Sequence, residues 1–78
     1  MAIVTIKNKD TKVKIVLNGE PKELQSNLSI QQLLDALALP AGRVACEVNL
    51  KIIKRGLYPE TVLKEGDSVE IIQAIGGG

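Results

Sequence analysis

One stretch of this sequence carries helical periodicity, "NLSIQQLLDALALP", and most of what surrounds it alternates with period two. Ile30, Leu33, Leu34 and Leu37 recur at i, i+3, i+4 and i+7, which is one face of an amphipathic helix. Ser29 followed by Gln32 makes a capping-box pair, in which hydroxyl and carboxamide satisfy orphan amides at the helix start. Leu28 before the cap and Leu33 at the fourth helical position have the spacing of a hydrophobic staple. Pro40 and Gly42 close the segment, so the spacing predicts a helix over 30–38. One helix with one apolar stripe needs a sheet to cover it, and 78 residues leave room for a single domain.

The strands that build that sheet are legible on both sides. In "VKIVLNGEPKEL", Val13, Ile15 and Leu17 alternate with Lys14 and Val16, and Asn18-Gly19 is a two-residue hairpin turn whose residues both accept positive φ. The returning strand, about 21–24, contains Pro21 and therefore suits a sheet edge. After the helix, "RVACEV" places Val44, Cys46 and Val48 on one face, and "KIIK" follows across a turn at Asn49-Leu50. "GLYPETVL" is irregular, with one helical turn expected after Pro59; "KEGDS" is a turn; "VEIIQAI" is the last strand. The order is β-β-α-β-β-β, an α+β roll with one helix on one face of a mixed sheet. The long crossover suits a β-grasp arrangement, with the last strand parallel beside the first. Residues 1–12 read as an N-terminal extension, disordered or an extra strand; 13–73 are the domain, and 74–78 a flexible tail.

A chain this short buries only about 60% of the surface its unfolded form exposes, so nearly every aliphatic residue must serve the core. Apolar residues make up 45% of the chain, and Tyr58 is the only aromatic. A net charge of +1 gives no field for nucleic acid, and one tyrosine cannot supply a stacking platform. Apolar runs are too short to span a bilayer. The start lacks a signal-peptide pattern, and a single Cys46 allows no internal disulfide, so the expected compartment is the cytoplasm.

The chain has no His, which removes Ser-His-Asp and Cys-His pairs and the common zinc ligand sets. Cys46 alternates with Val44 and Val48 on the core face and reads as a small buried hydrophobe, not a nucleophile. Tyr58, next to Pro59, reads as a packing residue. Lys51, Lys54 and Arg55 form a basic cluster that fits a solvated edge or the charged rim of a partner surface. No catalytic residue and no metal site is expected.

The end of the sequence is "AIGGG". Phosphate-binding glycine loops continue into a helix, and nothing follows here. Glycine is costly to order, so such a tail adds nothing to folding stability. It provides access: five extended residues reach about 15 Å, and without Cβ atoms they pass through a channel too narrow for side chains. A terminal carboxylate is ionised at neutral pH, titrating at about 3.3 to 3.7, and becomes electrophilic once attack on the α-phosphorus of ATP makes an acyl-adenylate.

"VKIVLNGEPKEL", "SIQQLLDAL", "VACEVN", "ETVLKEGDSVEII" and "IGGG", in that order over about residues 13–78, resemble the ubiquitin-like sulfur carriers of the ThiS/MoaD family, the ThiS branch of thiamine biosynthesis above all. The resemblance implies a ubiquitin-like β-grasp fold. It implies that Gly78 is adenylated by an E1-like, ThiF-like adenylyltransferase and becomes a thiocarboxylate, with Gly76 and Gly77 threading the channel. No cofactor would be held stably; ATP with Mg belongs to the partner enzyme. The other partners it implies are a cysteine desulfurase or other sulfur donor and a ThiG-like thiazole synthase, with no nucleic acid, no membrane and a monomeric free carrier. If Val69 and Ile71 face the core, period two puts Glu70, Ile72 and Ala74 outward, and Ile72, Ala74 and Ile75 are the expected partner-binding residues. The MoaD branch, the small subunit of molybdopterin synthase, is the alternative. It tends to carry aromatics and prolines where this chain has "VEIIQAI". A β-grasp interaction domain with incidental glycines is a third reading. One departure stands out: Asn49-Leu50 occupies a turn where the family usually has Asn-Gly.

Overall fold

The computed structural model describes residues 12–73. Strands β1 (Lys12–Leu17) and β2 (Glu20–Gln25) are followed by helix α1 (Ile30–Ala36), then β3 (Val44–Val48), β4 (Lys51–Ile53) and β5 (Ser68–Gln73). They form one five-stranded sheet in the order β2-β1-β5-β3-β4. β1–β2, β3–β4 and β3–β5 are antiparallel, and β1–β5 is parallel. Parallel neighbours cannot be joined by a tight turn, and here the chain between them runs through α1 and the β3–β4 hairpin. This is the expected mixed sheet with one helix, the β-grasp arrangement. β1 begins at Lys12, so of the extension expected over 1–12 only that residue lies within the described residues, and it pairs with Gln25. The tail expected over 74–78 lies outside them.

The turns explain the registers. Asn18 (φ 50°) and Gly19 (φ 84°) join β1 to β2, setting Leu17 opposite Glu20. Asn49 (φ 52°) and Leu50 (φ 69°) do the same between β3 and β4. Leucine thus takes the second position of a two-residue turn with positive φ at both residues, as at Asn18-Gly19. Pro21 lies on β2, an edge strand, where a missing N–H costs no ladder bond.

The helix is capped as the sequence indicates. The Gln32 amide donates to Ser29 Oγ (3.1 Å), and the Ser29 amide donates to Gln32 Oε1 (2.9 Å). It stops at Ala36, short of the expected 38. Ala38 turns left-handed (φ 59°), its amide donating to the Asp35 carbonyl (3.1 Å) and that of Leu39 to Leu34 (2.9 Å). These two bonds close the end in a Schellman arrangement with alanine where glycine is usual, two residues before Pro40. A second difference concerns the segment before β5. Its helical turn is a short 3-10 turn at Arg55–Leu57, ahead of Pro59 instead of after it. The turn sends the side chain of Tyr58 into the core, where it is 2% exposed. Leu63 joins it there, tied by its amide to the Leu28 carbonyl at the foot of the helix (2.9 Å).

The core lies between α1 and one face of the sheet. Ile30, Leu33 and Leu34 of the helix meet Ile15, Leu24, Val44, Cys46, Val69 and Ile71 of the strands. Leu37 and Leu39 pack at its margin, beside the C-terminal end of β5.

Candidate docking site at the end of the last strand

β5 alternates as read from the sequence: Val69 and Ile71 are buried, while Ser68, Glu70 and Ile72 face out. On one flank β3 holds the strand along its whole described length, from Val48↔Val69 to Val44↔Gln73. On the other flank β1 pairs only through Val16↔Ser68 and Leu17↔Val69, because it turns away at Asn18. Asn18 itself continues the ladder. Its backbone amide donates to the Val69 carbonyl (2.8 Å), the Ile71 amide donates to Asn18 Oδ1 (2.8 Å), and Asn18 Nδ2 reaches the Ile71 carbonyl (3.4 Å). A side-chain amide thereby stands in for the next residue of a strand. From the sequence, Asn18 is legible as a turn residue only; its second role requires knowing that β5 lies beside that turn.

Past Ile71, no described residue pairs with β5 on the β1 flank. Ile72, 55% exposed, and Gln73 form a ridge between two grooves. The groove on the β1 side, about 510 Å³, is lined mainly by Leu17, Leu37, Leu39 and Ile71. The groove on the β3 side, about 270 Å³, is lined by Arg43, Val44, Ala45 and Arg55. Of the expected partner-binding residues, Ile72 is therefore solvent-facing at the end of a strand fixed on both sides. Ala74 and Ile75, with Gly76, Gly77 and Gly78, lie outside the described residues.

The described residues offer little other chemistry. Cys46 is fully buried, and burial pushes its thiol up, with the Tyr58 hydroxyl only partly opposing. A neutral, inaccessible thiol is not a nucleophile. Burial likewise raises the Tyr58 phenol, which donates to the Val44 carbonyl at 3.4 Å. Among the described residues no group of three or more His, Cys, Asp or Glu is placed to hold a metal ion. No helix among them is long and apolar enough to cross a membrane. Of the basic cluster, Lys51 lies on β4, the edge strand, and Arg55 turns toward the β3-side groove, its Nε donating to the Ala41 carbonyl (3.2 Å).

The arrangement is a small β-grasp domain whose last strand ends beside an exposed isoleucine and two grooves. Against protein families, the ThiS family model matches residues 15–78, from β1 through the final glycine.

The chain belongs to the ThiS family.

The crystal structure of the thiamine biosynthesis protein ThiS from Geobacter metallireducens superposes with a TM-score of 0.73 at 32% identity, covering 85% of this chain and 100% of that one. The solution structure of a thiamine biosynthesis protein from the same organism gives 0.71, covering 85% of this chain and 88% of that one, at 32% identity. Among curated relatives, the chain is 35% identical over 66 residues to a thiazole synthase of Paramagnetospirillum magneticum, covering 85% of this chain. It is also 38% identical to the ycf40 protein of Porphyra purpurea, covering 85% of this chain and 93% of that protein. The chain spans about a fifth (20%) of the length of the thiazole synthases it matches. The ThiS family match thus covers both grooves, the Ile72 ridge and the glycine end in one continuous unit.

Proposed function

We propose that this protein is a sulfur carrier of thiamine biosynthesis, acted on by enzymes and not itself a catalyst, with Gly78 as the residue that carries sulfur. The observation that supports this reading is the family match, which runs unbroken from β1 to Gly78. The Gly78 carboxylate attacks the α-phosphorus of ATP, held with Mg by an E1-like adenylyltransferase of ThiF type, and pyrophosphate leaves. The outer sulfur of a persulfide, carried by a cysteine desulfurase or other donor, then displaces AMP from the acyl-adenylate to give an acyl disulfide, and a second thiol cleaves that S–S bond, forming a disulfide with the donor sulfur and releasing the thiocarboxylate. Gly76 and Gly77 present the reacting end because no Cβ obstructs them. Ile72, with Ala74 and Ile75, docks the partners. The receiving enzyme is a thiazole synthase of ThiG type. Proteins named thiazole synthase that contain a stretch similar to this chain over 20% of their length support that pairing, since joining two modules in one chain raises their effective concentration. The ThiS match favours this over the molybdopterin synthase branch.

The test is an intact mass after incubation with ATP, a ThiF-type enzyme and a sulfur source. The expected gain is one sulfur for one oxygen, absent when Gly77 and Gly78 are deleted. No gain on the full chain, while a control carrier is converted by the same enzyme, overturns the reading. The deletion leaves the melting temperature unchanged.

A further inference from the structure

The β3-side groove contains two cations where the rest of the strand end is uncharged. Arg43 comes from the 3-10 turn Ala41–Arg43 that leads into β3, and Arg55 from the turn after β4. They come together because β3 and β4 are a hairpin and both arginines sit at its open end. The bond from Arg55 Nε to the Ala41 carbonyl fixes the guanidinium against that turn and uses one of its five N–H donors. The groove wall they share is completed by Ile72 and Gln73, the last described residues of β5.

A planar, permanently charged fork held at the edge of a groove fits a carboxylate better than any neutral group. The nucleotide of the carrier's own activation is a poor occupant. Gly78 lies five residues beyond Gln73, about 16 Å when that stretch is drawn out into an active site. A second copy docked symmetrically through the same groove would bring arginine against arginine.

We infer that the Arg43–Arg55 groove takes carboxylate side chains of the adenylating enzyme that receives the tail, so that these two arginines set the enzyme's preference for this carrier. The inference rests on the sulfur-carrier reading. It divides the docking surface into two parts: Ile72 supplies apolar contact area, and the arginines supply steering and register.

Steady-state adenylation by a ThiF-type enzyme, followed as ATP–pyrophosphate exchange, separates the two. For the double variant Arg43→Glu/Arg55→Glu, KM for the carrier rises about tenfold or more while kcat and KM for ATP stay as in the wild type. Raising salt from about 0.01 M to about 0.15 M, which shortens the screening length from about 30 Å to about 8 Å, raises the wild-type KM and leaves that of the variant nearly flat. Ile72→Ala raises KM without altering the salt response. Lys22→Glu, a charge reversal of the same kind on β2 at the far edge of the sheet, matches the wild type. Arg43→Lys/Arg55→Lys recovers part of the lost affinity, and all variants melt with the wild type. An unchanged carrier KM in the double Glu variant, an unaltered salt response, or a rise in KM for ATP overturns the inference. Failure of the wild type to be adenylated would instead overturn the proposed function.

Discussion

Leu50 holds a left-handed backbone (φ 69°) while its side chain is 88% exposed. A side chain there meets the following carbonyl, a cost of about 1–2 kcal/mol that packing does not offset when the residue points into solvent. Asn49, the other left-handed residue of the turn, is better placed. Its amide donates to the Ser68 carbonyl (2.7 Å), its Nδ2 to Asp67 Oδ1 (2.9 Å), and its Oδ1 accepts from the Ser68 amide (2.9 Å). The turn is thus fastened to the start of β5 by asparagine and strained by leucine. Leu50→Gly is expected to stabilise the fold by about 1 kcal/mol, raising the melting temperature by about 4–8 °C in a domain of this size, as read by calorimetry. Strain of this sort is invisible in composition, because Asn-Leu forms the turn only when the strands on either side demand it.

At the level of elements, the helix and the hairpins are the parts the sequence states most directly. The Ile30, Leu33, Leu34 spacing and the Ser29–Gln32 box are local signals, and the structure realises both. Leu34→Ala, at a fully buried position, is expected to cost about 2–5 kcal/mol in denaturant unfolding. Ser29→Ala removes an N-cap that is itself 5% exposed and should cost about 0.5–2 kcal/mol. The helix end was less legible because alanine takes the left-handed position that glycine usually signals. The position of the 3-10 turn is hidden for a different reason. Its position is set by Tyr58 reaching the core, a long-range contact with no local code. The Ile72 ridge shows both limits together: period two gives the outward direction of Ile72, but the arginines beside it come from turns before β3 and after β4 that only the folded hairpin brings near it.

For the molecule as a whole, the buried cysteine and tyrosine couple stability to alkali. Burial, the first cause for each, holds both groups above their ordinary values in the folded protein. The folded state therefore keeps its protons after the unfolded chain has begun to release them. The contribution is fully present below the unfolded thiol range, about 8.5, and is lost as pH rises through that range and the phenol range near 10. Melting temperatures from pH 7 to about 11 should be level at first and then decline. Replacing Cys46 with Ala lowers the plateau but moves the start of the decline toward the phenol range. A decline that begins at the same pH in that variant would show that the thiol contributes nothing to it.

The sheet order has a mechanical meaning. β5 is a central strand, bonded to β3 through Gln73 and steadied on the other side by β1 and Asn18. A protein that takes hold of the chain beyond Gln73 and draws it along the strand axis loads those bonds sideways and together, in shear. An edge strand pulled at its end would be peeled one bond at a time. The strand that leads to the proposed sulfur-bearing Gly78 is thus anchored like a lap joint, and a partner can tug on it without unzipping the domain.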